Sequence, residues 1–151
     1  MKKLAVIICL FAFAKAYTQQ IYPEHYEGCN TERFILESKV EKGKIDSDAV
    51  VTLLLKDLSE KQLKKLKGTL TFQVLANTDA TSCLLSAENK TNIKSKTLGL
   101  KSKIDALIWE IPPKEKTASI FTIKFKKGKY RVSRLGIHGD LGIHKLKPFG
   151  S

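Results

Sequence analysis

Apolar and polar positions alternate with a period of two in several short stretches of the chain. In RFILESKV, residues 33–40, Phe34, Leu36 and Val40 share one parity and Glu37 and Lys39 the other. TLTFQVLAN, residues 69–77, places Leu70, Phe72 and Val74 on one face, with Thr71 and Gln73 opposite. SIFTIKFKKGKYRVSRL, residues 119–135, reads as a hairpin. Phe121, Ile123 and Phe125 face inward, Lys127-Gly128 turns the chain, and Tyr130 and Val132 return. AVVTLLLKDL, residues 49–58, is apolar and partly β-branched, and suits a strand covered on both faces. CLLSA, from Cys83, predicts a short strand. IDALIWEI, residues 104–111, predicts one with Leu107, Trp109 and Ile111 on one side, ended by Pro112 and Pro113. ENKTNIKSKTLGLKSK, residues 88–103, is polar and irregular and predicts an exposed loop.

Helical spacing enters once, in LSEKQLKKLKG. Ser59 and Gln62 make a capping box, Leu63 and Leu66 share a face, and Gly68 supplies a stop, so a short helix is expected over about residues 59–67. Two turns are too few to be stable alone, and the leucines must dock. Seven or so short strands and one brief helix predict an all-β fold, an antiparallel β-sandwich.

The N-terminus divides off. A positive MKK, an apolar run from Leu4 to Ala14 and the small-x-small site Ala14-Lys15-Ala16 have the order of a secretory signal, residues 1–16. Residues 17–28 then read as an extended lead-in, 29–134 as the sandwich and 135–151 as a C-terminal tail. No later apolar run is long enough for a transmembrane segment. The expected protein is secreted, extracellular and monomeric.

Processing changes the counts. Loss of Lys2, Lys3 and Lys15 lowers the formal charge from +12 to +9, still basic for this size. Cys9 leaves with the signal, and Cys29 and Cys83 remain as one pair in an oxidising compartment, where they should be bonded. A basic extracellular protein meets glycosaminoglycans, bacterial envelopes and phospholipid head groups. A lysine-rich solvated surface without a dedicated partner has the same composition.

Candidate chemistry is sparse. His138 and His144, with Asp140 between them, loosely suit a metal, but zinc needs three or four protein ligands and no third stands nearby. No metal, no cofactor and no catalytic residue is expected, and the chain does not read as an enzyme. Asn89-Lys90-Thr91 is a glycosylation sequon, with Asn89 as acceptor. Trp109 reads as core. The anion-binding candidate is the basic hairpin: Lys124, Lys126, Lys127, Lys129, Arg131 and Arg134, with Phe125 and Tyr130 interleaved. Such a ribbon suits sulfates or phosphates. It equally suits guarding a sheet edge, which lysines do by blocking aggregation. Nucleic acid is a poor partner for a secreted chain.

The order of Cys29, a strand like VVTLLL, then KGTLTFQVLA from Lys67 to Ala76, Cys83, a polar loop, and LIWEIPP running into SIFTIKF resembles the reeler (reelin N-terminal) domain over about residues 29–132. Trp109-Glu110-Ile111-Pro112 stands where that family has a W-x-A-P element. The resemblance implies an immunoglobulin-like sandwich and extracellular binding, in invertebrates often in defence. The function expected is therefore non-enzymatic recognition of an anionic polysaccharide or microbial envelope. A small secreted carrier of lipid or another hydrophobe, and a venom or salivary effector acting on a host protein, are the alternatives.

Overall fold

The computed structural model describes residues 20–151. The expected signal, and the lead-in as far as residue 19, lie outside the described residues. The described strands form one sheet, mostly antiparallel. Three long strands make its centre: β3 (Gly68–Ala76), β4 (Ser82–Thr91) and β5 (Thr117–Lys126). With β1 (Glu24–His25), β2 (Ile35–Leu36), β6 (Lys129–His138) and β7 (Gly142–Lys145), seven strands take the order β1-β4-β3-β5-β6-β7. β2 runs parallel to β5 at Ile35–Thr117 and Leu36–Ala118. The period-two stretches at 69–77 and 119–135 are strands as expected. RFILESKV contributes two strand residues rather than a full strand.

Helices take several places where strands or loops were expected. Residues 49–58 hold no strand. Their apolar run forms α1 (Ser47–Leu55), with Asp46 as N-cap accepting from the Asp48 amide. The buried residues Val50, Val51 and Leu54 fall at helical spacing, so the run is amphipathic with a period near 3.6. β-branched content at 50–52 suggested a strand, but tertiary burial of one helical stripe overrides that preference. Lys103, itself buried, donates to the Leu54 carbonyl at 2.9 Å and pairs with Asp57 at the same distance, closing the C-terminus of α1. α2 (Glu60–Lys65) has the predicted capping box. The Gln62 amide reaches Ser59 Oγ at 3.3 Å, and the Gln62 side chain accepts from the Ser59 amide at 2.9 Å.

The expected loop at 88–103 is instead the end of β4, followed by α3 (Ser95–Leu98) and α4 (Leu100–Asp105). Residues 104–111 form no strand. Ile104 belongs to α4, Leu107 and Trp109 drop into the core, and Ile111 makes one isolated bridge, to Lys44. The expected tail beginning at residue 135 is sheet: β6 continues to His138, and the repeated LGIH words fold back on each other as β6 and β7, pairing Gly136 with His144.

The core lies between the helices and one face of the sheet. Leu70, Phe72, Val74, Phe121, Ile123 and Phe125 meet Val50, Leu54, Leu66, Leu98, Ile104 and Trp109. Phe72 and Phe121, paired across β3 and β5, stack with centroids 5.3 Å apart. Each such side chain contributes roughly 1.5–3 kcal/mol by burial. The opposite face holds a smaller cluster, Leu75, Leu85 and Ala118, packed against Phe34 and the half-buried Cys29–Cys83 disulfide, whose Cα atoms are 5.7 Å apart.

Candidate anion-binding face

The basic hairpin turns at Lys127 and Gly128, both with positive φ, 50° and 74°. Positive φ at both central residues is the signature of a two-residue turn that matches strand twist. It fixes the register, so Phe125 stands opposite Tyr130, Lys124 opposite Arg131 and Lys126 opposite Lys129. Alternation then sends Phe121, Ile123 and Phe125 into the core and Lys124 and Lys126 to the other face. Tyr130 lies on the core side. Its hydroxyl donates to Asp48 Oδ1 at 2.8 Å, tying the hairpin to the start of α1.

One of the six predicted anion ligands is not on this face. Arg134 is buried opposite Phe121. Its Nε donates to Glu37 Oε2 at 2.8 Å, Nη2 donates to Glu37 Oε1, and Nη1 donates to the Gly43 carbonyl at 2.8 Å. Its guanidinium lies 4.8 Å from the Trp109 ring centroid and 5.5 Å from that of Phe121. The parity of Ser133 and Arg134 puts the arginine on the core side, where an acid from another segment satisfies it.

The register adds a cation that the hairpin sequence does not contain. Thr69 pairs with Lys124 on one side and with Lys90 of β4 on the other. Lys90, Thr69, Lys124 and Arg131 therefore form one row across four strands of the face turned from the helices. The neighbouring row is Glu88, Thr71, Thr122 and Ser133. The Thr71 and Thr122 hydroxyls are 3.1 Å apart, which fixes their common face. Lys126 and Lys129 extend the basic area towards the turn. Lys90, Lys124, Lys126, Lys127, Lys129 and Arg131 are all exposed.

Like charges directly opposite each other destabilise a sheet, and two such pairs sit side by side here. Among the described residues, neither Lys124, Lys126, Lys129 nor Arg131 has an acidic partner within salt-bridge distance, whereas Lys90 meets Glu88 at 2.9 Å. Edge protection accounts for Arg131 and Lys129, because β6 has no outer neighbour before Leu135. It does not account for Lys124, which lies inside the sheet between β3 and β6. Periodicity made the hairpin visible; Lys90, 34 positions before Lys124, had no signal short of the register itself.

The other candidates are placed as follows. Asn89 is half-buried at the end of β4, and its side chain organises the turn that follows. Its Nδ2 donates to the Ile93 carbonyl at 2.8 Å and to Ser95 Oγ at 3.0 Å, while its Oδ1 accepts from the Thr91 amide and hydroxyl. Trp109 is core, with Nε1 donating to Ser82 Oγ at 3.0 Å. His138 and His144 lie in the β6–β7 hairpin, and no group of three or more His, Cys, Asp or Glu among the described residues could hold a metal. No described helix is long and apolar enough to cross a membrane. An apolar cavity of about 180 Å³ lies between α2 and the β5–β6 hairpin, lined by Leu55, Leu63, Leu66, Phe125 and Tyr130, with Lys129 at its rim.

Comparison with protein-family models, with curated proteins and with solved structures gives no match.

Proposed function

We propose that the protein is a secreted, non-enzymatic binding protein that recognises an anionic extracellular or microbial surface through the open face of its sheet. The observation that carries this reading is the block of cations at Lys124, Arg131, Lys126 and Lys129, held in two like-charged cross-strand pairs and without an acidic partner among the described residues. Such pairs cost stability unless an anion neutralises them. Secretion rests on the signal-like N-terminus and agrees with the disulfide. A defence role rests on the reeler-like order of segments alone. The immunoglobulin-like sandwich of that resemblance gains no support from a single sheet backed by helices.

The test is retention at low salt on heparin and lipopolysaccharide beads against a neutral support. Retention on the charged beads that fades as salt screens it supports the reading. Equal behaviour on neutral and charged beads ends it. The carrier reading is favoured by the cavity under the hairpin, whose size is near that of a dry protein cavity of about 150 Å³ known to accept benzene. That is room for one ring or a short alkyl group. A mass spectrum of native protein with no bound hydrophobe, together with no dye uptake, excludes it.

A further inference from the structure

Towards the β5–β6 turn the face that carries the cations is polar and exposed, while its far end holds the Leu75, Leu85 and Ala118 cluster. Across its width run Lys90, Thr69, Lys124 and Arg131, one residue from each of four adjacent strands. Strands lie about 4.8 Å apart, so the row spans roughly 14 Å. Hydroxyls of Thr69, Thr71, Thr122 and Ser133 lie among the charged side chains. Among the described residues, neither row contains an exposed large apolar side chain; Leu36 and Ile143 share this face only at its far end, in register with Ala118 and Ile137, and Tyr130 is on the opposite face with its hydroxyl bound to Asp48.

We propose that this row binds a linear sulfated polysaccharide that crosses the strands, with Lys90, Lys124 and Arg131 contacting successive sulfates and Thr69 and Thr122 donating hydrogen bonds between them. The proposal rests on the reading of the basic face as an anion site and names its ligand and direction. A bilayer is the poorer occupant, because interfacial binding joins cations to an apolar surface that inserts, and this part of the face has none. Single-stranded nucleic acid is poorer too, because its bases stack on aromatic rings and neither row contains one; Tyr22, beside Glu88, is half-buried. A sulfated glycan needs only spaced cations and hydroxyl donors. Lys90 is the distinguishing residue. A ligand running along the β5–β6 hairpin would bypass it; one crossing the strands must meet it. Glu88, paired with Lys90, competes with the ligand for that lysine.

The experiment uses the full mature chain and three probes: immobilised heparin, completely desulfated heparin, and vesicles of phosphatidylserine with phosphatidylcholine. The variants are Lys90→Gln, Lys124→Gln, Arg131→Gln and Glu88→Gln, with Lys96→Gln on α3 as control. All these side chains but Glu88 are exposed, and far-UV circular dichroism checks that each variant folds. Heparin binding is expected to weaken roughly two- to fivefold for each of the three row variants, the scale of one exposed ion pair. It is expected to tighten for Glu88→Gln and to stay unchanged for Lys96→Gln. Desulfated heparin should not bind. If the unaltered protein binds neither heparin nor vesicles, the anion-binding reading itself fails. If it binds vesicles but not heparin, that reading stands and the glycan is wrong. If it binds heparin while Lys90→Gln behaves like Lys96→Gln, the cross-strand placement is wrong.

Discussion

Arg134 and Glu37, 97 positions apart, meet in a two-pronged ion pair buried beneath Trp109. The pair joins β6 to the segment leaving β2. Glu37 Oε1 also accepts the Lys42 amide at 2.7 Å, and Arg134 Nη1 reaches the Gly43 carbonyl, so the 37–43 turn is hung on the same two side chains. Removing Arg134 leaves Glu37 buried without its cation, and removing Glu37 leaves Arg134 with the half-buried Glu41, 3.6 Å from Nη1; breaking a buried pair typically costs about 3–5 kcal/mol. Arg134→Met and Glu37→Gln are each expected to destabilise by that order in urea denaturation. The double variant should lose less than the sum of the two. Arg134→Gln should leave heparin retention of the folded fraction unchanged, because Arg134 is absent from the basic face; a loss equal to that of Arg131→Gln would contradict this placement.

The Cys29–Cys83 bond fastens the segment before β2 to the second residue of β4. It closes a loop with a sequence separation of 54, for which chain-entropy arguments give roughly 4 kcal/mol. Cys29→Ser is expected to lower stability by about 2–5 kcal/mol and to make Cys83 reactive to thiol reagents. Native protein in which both cysteines are alkylated before any reduction would contradict the pairing.

Legibility followed the length over which a pattern repeats. The β5–β6 hairpin was readable because ten-residue strands alternate cleanly around a turn that demands positive φ. The α2 capping box was readable because two side chains at fixed spacing satisfy backbone donors. α1 was not, because Val50, Val51 and Leu54 suit either a buried strand or a helical stripe, and only the surroundings decide. α4 hid in a polar stretch because Leu100 and Ile104 alone mark its buried face among lysines. The basic face was half readable: five of its cations lie in one hairpin, but Arg134 turns inward by parity and Lys90 joins by register. Both are long-range pairings that no local pattern encodes.

Asn89 acts as a brace for the turn after β4. Four hydrogen bonds converge on its amide, and both Nδ2 hydrogens are engaged. A glycan on Nδ2 leaves one hydrogen, so a modified protein must give up the bond to Ile93 or to Ser95. Asn89→Gln keeps the chemistry but moves the amide by one methylene, and is expected to cost about 1–3 kcal/mol through unsatisfied polar groups. Thr91→Ser keeps the hydroxyl bond and should cost less. Equal melting temperatures for Asn89→Gln and the unaltered protein would show that the brace contributes nothing.

At the alkaline end, Tyr26 contributes to the slope of stability against pH. Burial, then the hydrogen bond to Glu24 and that carboxylate's charge, push its phenol up to about 12, from an ordinary value of 10.0. The Tyr26 hydroxyl donates to Glu24 Oε2 at 2.9 Å, a bond the phenolate cannot make. Tyr22 is also raised, by burial and then by Glu88, and Tyr130 is raised through its bond to Asp48. The folded state therefore holds protons that the unfolded chain releases near pH 10. Stability from these groups is fully present below about pH 10 and is lost as pH rises through the folded values. Phenolate absorbance in the folded protein should develop late, with Tyr26 last, near pH 12. Tyr26→Phe should flatten the fall in stability between about pH 10 and 12, as measured by urea midpoints at stepped pH. Glu24→Gln should bring the Tyr26 titration down while leaving part of the shift, since burial is its largest cause. A Tyr26→Phe variant whose urea midpoints fall with pH as steeply as those of the unaltered protein would remove Tyr26 from this role.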